Sequence, residues 1–135
     1  MFFESIGLSG FSSWLQNHYK EELGHATRLM DYLLFRGASV HLQDVSIDPE
    51  IKNQEDVSQI FTTLLSLETT STAAFQRLTE KALELKDYET SVFLQKFLEI
   101  QLLEEYTVNR LVKRIHFAKE NPSALLRIDH ELKNQ

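Results

Sequence analysis

The chain has 135 residues, 42% of them hydrophobic, with only four glycines and two prolines. This length and composition are enough for one helical domain with a core and too little for a second. It contains no cysteine, so disulfides, thiolate metal sites and cysteine catalysis are excluded. The formal charge of −6 argues against a general nucleic-acid binder, which needs a basic surface, and is compatible with attracting cations.

A first long helix is predicted to begin between Ser9 and Ser12 and to end at Arg36, with Gly37 as its stop. Glu22 and His25 fall within its apolar stripe at helical spacing. They lie one turn apart and point the same way. The stripe consists of Leu15, Tyr19, Ala26, Leu29, Met30 and Leu33.

Residues 38–55 break the helical pattern. Taken alone, the alternation of apolar and polar residues over 40–47 predicts a strand. Because no second candidate strand exists to pair with it, we interpret 38–55 as a long extended crossover. A connection of this length can span a helical bundle, so we expect the first and second long helices to run parallel.

The second long helix is predicted to begin after Asp56, which forms a capping-box pattern with Gln59, and to run to about Leu85. Asp87 can cap the third helix, which continues to about Lys119. The short turn between them makes these two helices antiparallel.

A short closing helix is predicted from Asn121, its N-cap, through Pro122 at the first helical position to about Leu132. Three long helices and this short one make an all-α fold. They form three-quarters of a four-helix bundle with one long crossover.

Polar residues interrupt the buried stripes of the second and third helices. Glu68 interrupts the second, and Gln101 and Glu104 interrupt the third. Burying an unpaired carboxylate costs several kcal/mol, so polar groups at similar depth on three helices suggest a shared cation. We therefore predict that Glu22, His25, Glu68 and Gln101 converge as a metal site. The interrupted stripes are Phe61, Leu64, Leu65, Phe75, Leu78 and Ala82, and Leu94, Phe97, Leu98, Val108, Leu111, Val112 and Ile115.

Simpler explanations exist for each of these residues. A Glu-x-x-His pair often occurs on a helix by chance. Glu68 can be a boundary residue whose carboxylate reaches water, and Gln101 a hydrogen-bonded core amide. The neighbouring acids can be ordinary surface charges, namely Glu21, Glu104 and Glu105.

The chain resembles the bacterial non-haem ferritins over essentially its whole length, in the order and spacing of four segments. The segment Lys20–His25 is similar to the Glu-Glu-x-x-His ferroxidase segment of those ferritins, and Leu67–Glu68 is similar to the glutamate on their third helix. Phe93–Gln101 is similar to a segment of their fourth helix, and Ile128–Leu132 to their closing helix. The resemblance implies one ferritin-like domain over 1–135, a ferritin-like four-helix bundle with a long crossover.

The implied function is iron storage: oxidation of Fe(II) with oxygen or peroxide at a di-iron centre, and storage of Fe(III) mineral in a homo-oligomeric shell of 24 subunits. No apolar run approaches the length of a membrane span, and the N-terminus lacks the features of a secretion signal. We therefore expect a cytoplasmic protein whose partners are iron ions and copies of itself, with no nucleic acid and no membrane.

By the same resemblance, Glu22 bridges two irons, His25 binds the first, and Glu68 and Gln101 serve the second. These four residues are the expected catalytic and metal-binding set. Two further acids resemble parts of a third iron site found in some bacterial members, whose other acidic positions are apolar here. The two acids are Glu21 and Glu104, and the apolar positions are Ile100 and Leu103.

The N-terminus departs from the family pattern. Ferritins begin with another long helix that supplies a glutamate to the first iron and a nearby tyrosine, whereas Met1–Phe11 resembles only the end of that helix and the following turn. The first-iron ligand set is therefore incomplete, and we expect impaired ferroxidase activity. The loss of a helix also exposes apolar faces, so we expect self-association.

Two other functions compete with iron oxidation and storage. One is a non-catalytic ferritin-like shell subunit, which the missing ligand favours. The other is a helical interaction module whose polar core residues are relics. Iron binding separates the module from the other two, and oxygen consumption with Fe(II) separates the enzyme from the shell subunit.

Overall fold

The computed structural model describes residues 2–49 and 56–135, and the helices in them are α1 (Phe2–Ser5), α2 (Ser9–Phe35), α3 (Val57–Glu84), α4 (Tyr88–Ala118) and α5 (Pro122–Lys133). The described residues contain no strand, so the prediction of an all-α fold is confirmed. Residues 38–48 adopt neither helix nor strand, as expected for a connection, while 50–55 of the predicted crossover lie outside the described residues. No described helix combines the length and apolar character needed to cross a membrane.

Three helices begin at the polar caps that the sequence predicts. In each, the cap side chain accepts a hydrogen bond from a main-chain N–H in the first turn, a group that has no partner within the helix. The pairs are Asp56 with Gln59 at 2.8 Å, Asp87 with Thr90 at 3.2 Å, and Asn121 with Ala124 at 3.2 Å.

Helices α2 and α3 end in the same kind of turn. After α2, Gly37 has a φ of 79°, and the N–H of Ala38 donates to the carbonyl of Leu33 at 2.9 Å. After α3, Lys86 takes the equivalent left-handed position with a φ of 57°. This turn satisfies the last carbonyls of each helix and stops it at the predicted place.

The chain divides into two compact units. The first unit comprises Met1–Asp48 and Asn121–Gln135 and contains α1, α2 and α5. The second comprises Pro49–Glu120 and contains α3 and α4. The assignment of 1–135 to a single domain, and the parallel course of the first two long helices, stay predictions.

In the first unit, α5 supplies the cap that α2 lacks. Leu8 precedes α2 and makes no side-chain capping bond. Instead, the buried carboxylate of Asp129 accepts a hydrogen bond from the N–H of Phe11 at 2.9 Å. Gly10 permits this approach, since a Cβ there would overlap the main-chain carbonyl of Asp129. A negative charge at a helix N-terminus also interacts favourably with the helix dipole.

Replacing Asp129 by alanine should therefore lower the free energy of unfolding by about 2 kcal/mol, the range of a charged hydrogen bond that caps a helix. Asp129→Asn keeps one acceptor oxygen and should cost less. Urea unfolding at one fixed protein concentration measures both. Asp44→Ala, at an exposed position of the same unit, is the control. Equal stability of the Asp129→Ala and Asp44→Ala variants would contradict the capping role.

The second unit is an antiparallel helix pair. The rings of Phe75 on α3 and Phe97 on α4 stack with centroids 5.1 Å apart, and Phe61 is fully buried. Glu68 lies earlier in α3 than Phe75 and contacts Gln101, which lies later in α4 than Phe97, so the helices run in opposite directions and the predicted antiparallel pair is confirmed. Every residue of the predicted third-helix stripe is buried or half-buried. The α3 stripe was wrong at Leu78, which is 53% exposed, because Thr79 occupies the inward step.

The stripe predicted for α2 was too wide. Tyr19 is 64% exposed, and Ala26 and Leu33 are also exposed. Tyr19 and Ala26 lie about a quarter of a turn from the centre of the face that is removed from solvent. That face follows alternating steps of four and three residues, and its members are Phe11, Leu15, His18, Glu22, His25, Leu29 and Tyr32.

Candidate metal centre

Helix α2 places Glu22 and His25 in direct contact. Nδ1 of His25 lies 3.1 Å from Oε1 of Glu22, and the two side chains are 19% and 42% exposed, respectively. When Nδ1 carries the proton, it donates to the carboxylate and Nε2 holds the lone pair that binds a cation. A carboxylate bonded to the second ring nitrogen is a common way of orienting a metal-binding histidine.

His18 lies on the same face of α2 and was missed by the sequence analysis. It is buried, one turn before Glu22, and its ring stacks on that of Trp14 with centroids 5.2 Å apart. The available signal was the spacing of 18, 22 and 25 by four and three residues. His18 was overlooked because the predicted apolar stripe included Tyr19, the next residue, and so faced a different direction.

The second unit buries Glu68 and Gln101 side by side, at 4% and 3% exposure. Nε2 of Gln101 donates to Oε2 of Glu68 at 3.1 Å. The same nitrogen donates to the main-chain carbonyl of Glu68 at 3.1 Å and to Oγ1 of Thr72 at 3.3 Å. Glu68 is therefore not a boundary residue that reaches water, and Gln101 is a hydrogen-bonded core amide.

The structure thus brings the four predicted ligands together as two pairs, one in each unit. Glu22 contacts His25, and Glu68 contacts Gln101. The convergence of both pairs on one metal site stays a prediction. Of the acids assigned by resemblance to a third iron site, Glu21 is exposed and Glu104 is half-buried.

The donor atoms of these pairs fit iron. Carboxylate oxygen, imidazole nitrogen and amide oxygen are ligands that Fe(II) accepts, and the chain has no thiolate to favour softer metals. A carboxylate as deeply buried as that of Glu68 is costly unless it meets positive charge or hydrogen-bond donors. The Glu68 carboxylate accepts such a bond from Nε2 of Gln101, and a cation beside it would add to that compensation.

The chain is similar to known ferritins over most of its length. The Ferritin family, described as a ferritin-like domain, matches residues 1–118. A bacterial non-heme ferritin of Campylobacter jejuni is 32% identical over 127 residues, covering 94% of this chain and 75% of that protein. One of Bacteroides fragilis is 28% identical over 131 residues, covering 97% of this chain and 80% of that protein.

Solved structures show the same likeness. An open pore ferritin from the hyperthermophilic archaeon Archaeoglobus fulgidus superposes with a TM-score of 0.93 at 33% identity, covering 99% of this chain and 82% of that chain. A humanized archaeal ferritin superposes with a TM-score of 0.92 at 34% identity, covering 98% of this chain and 80% of that chain. The predicted ferritin-like fold is confirmed.

Proposed function

The chain belongs to the ferritin family, and from that premise we propose that it oxidises Fe(II) at a di-iron centre and stores the product as Fe(III) mineral. Family and fold support iron storage in general. The observation that carries the finer proposal is the buried pair of Glu68 and Gln101, which lies at predicted ligand positions and is built from metal-binding atoms.

Four residues have proposed roles at the centre. Glu22 bridges the two irons, His25 binds the first, and Glu68 and Gln101 serve the second. Iron is the substrate: each Fe(II) gives one electron to the oxidant, dioxygen or peroxide. The bridging carboxylate holds the two ions close enough to react together.

We further propose that copies of the chain form a shell, of 24 subunits by resemblance to the family. Several large apolar side chains of α4 are exposed in the single chain. Removing large apolar side chains from water is favourable. Burial against other copies would remove them from water; they are Leu102, Leu103 and Phe117.

A second candidate function is a shell subunit that binds iron without oxidising it. Two apolar residues favour it, because Ile100 and Leu103 stand where the resemblance places acids of a third iron site. Fewer carboxylates mean weaker attraction for the ions that must pair before oxidation. Formation of Fe(III) after Fe(II) is added with dioxygen or with peroxide distinguishes the two functions, since only the oxidising protein forms Fe(III) above the rate in buffer.

Crystals soaked in Fe(II) without oxygen test the centre itself. We expect anomalous scattering at the iron edge to show iron bound by Glu22, His25, Glu68 and Gln101. The His25→Ala variant should lose the ion that His25 binds while keeping the fold. Iron bound only at other acidic residues, or Glu68 too far from His25 to share a pair of ions with it, would refute the assignment.

A further inference from the structure

Thr72 lies one helical turn after Glu68 and takes part in the same buried network. Its hydroxyl donates to the main-chain carbonyl of Glu68 at 3.1 Å. Its oxygen also accepts from Nε2 of Gln101 at 3.3 Å. In the described part of the chain, Thr72 is therefore the one side chain besides Glu68 that accepts a hydrogen bond from the Gln101 amide.

The chemistry of this network fixes which way the Gln101 amide faces. The Thr72 hydroxyl donates its only hydrogen to the Glu68 carbonyl, so it can act only as an acceptor toward Gln101. The Glu68 carbonyl and an ionised Glu68 carboxylate are also acceptors. Three acceptors on one side require the NH₂ end of the amide there, and they repel its oxygen. Oε1 of Gln101 therefore points away from α3's acceptors.

Of these three acceptors, the Glu68 carboxylate is itself a proposed iron ligand. An ion that binds the Glu68 carboxylate occupies oxygen lone pairs that would otherwise accept a hydrogen bond from Nε2 of Gln101. The Glu68 carbonyl and the Thr72 hydroxyl do not change partners in this way. They are the two acceptors that can hold the amide in one orientation both with and without iron, and Thr72 is the one that a substitution can remove.

We propose that Thr72 is a positioning residue of the iron site, which by accepting from Nε2 holds the Gln101 amide with Oε1 presented to the metal. The inference rests on the proposed function, because it assumes that Gln101 is an iron ligand. Without the hydroxyl, only the Glu68 carbonyl holds the amide in this orientation, so the amide more often offers its NH₂ end, which cannot bind a cation. Outer partners of this kind commonly change metal affinity about 10- to 100-fold.

Cobalt(II), which air does not oxidise at this kind of site, reports affinity and ligand set through its absorption spectrum without turnover. We expect Thr72→Val to weaken Co(II) binding about tenfold and Thr72→Ser to restore it to within about twofold. Thr70→Val is the matched control, because the Thr70 hydroxyl makes the same kind of bond, to the carbonyl of Ser66 at 2.9 Å, on an exposed face. Thr70→Val should leave Co(II) affinity unchanged.

The Gln101→Ala background shows whether Thr72 acts through Gln101. Thr72→Val should have no further effect on Co(II) affinity there. An equal loss in both backgrounds, or no difference between Thr72→Val and Thr70→Val, would overturn the inference and leave the iron site standing. Gln101→Ala binding Co(II) as tightly as the unaltered chain would instead overturn the proposed ligand set. Thr72→Ala, which also lacks the hydroxyl, gives the same reading if Thr72→Val does not fold.

Discussion

Replacing Glu22 with alanine is expected to cause the largest loss of iron binding of any single substitution on α2. Glu22 is the proposed bridge, so its carboxylate contributes to both ions, and it also contacts Nδ1 of His25 at 3.1 Å. Removing a direct ligand should exceed the roughly 10- to 100-fold loss that follows from removing an outer partner. Anaerobic titration with Fe(II) gives the affinity and the number of ions bound per chain.

The control for this experiment is Asp31→Ala. Asp31 is an exposed acid on the same helix, so its removal changes the net charge equally. If Glu22 and Asp31 only attract cations through their charge, iron affinity should fall by a similar amount in both variants. If Glu22 is a bridging ligand, only Glu22→Ala should lose most of the iron affinity. Equal losses in the two variants would count against Glu22 as the shared ligand.

The second large effect is expected on stability, at Gly10. An alanine Cβ would overlap the main-chain carbonyl of Asp129 and lie 2.6 Å from its carbonyl carbon and 2.9 Å from Oδ1. Because the added Cβ meets main-chain atoms, which cannot rotate away as a side chain can, α2 and α5 must separate or shift. We expect Gly10→Ala to lower the free energy of unfolding by about 2–3 kcal/mol, although alanine is the better helix former.

Gly24→Ala provides the comparison on the same helix. A Cβ at Gly24 meets no atom within 4 Å, so only helix propensity changes and the free energy of unfolding should rise by about 1 kcal/mol. Urea unfolding of the two variants at one protein concentration should therefore shift in opposite directions. A Gly10→Ala variant as stable as Gly24→Ala would show that the close contact with Asp129 does not form.

Helix boundaries could be predicted from the sequence because their signals are local. Asp56, Asp87 and Asn121 accept from main-chain N–H groups three residues later, and Gly37 adopts the left-handed turn that stops α2. The cap of α2 carries no such signal. Its acceptor lies in another helix, 118 residues away from the donor, so no window of the sequence contains both groups.

The candidate ligands were predictable because a polar side chain at an apolar step stands out, as Glu68 and Gln101 did. Two kinds of residue could not be predicted: those on a helix whose buried face was assigned at the wrong phase, and those whose residue type is common in helices. Tyr19 is apolar enough to place a stripe at the wrong phase, which concealed His18 one position earlier. Thr72 gave no signal at all, because a helical threonine bonded to the carbonyl four residues back is common, and only its contact with Gln101 sets it apart.

The capping of Phe11 by Asp129 also has a consequence for biosynthesis. Residues 49–120 of the second unit are contiguous, so that unit can fold as it leaves the ribosome. The first unit draws on segments that lie before and after the second unit, and the opening turn of α2 must remain without this cap until Asp129 has been synthesised. A nascent chain that stalls before α5 would therefore carry an α2 whose first turn lacks its hydrogen-bond acceptor.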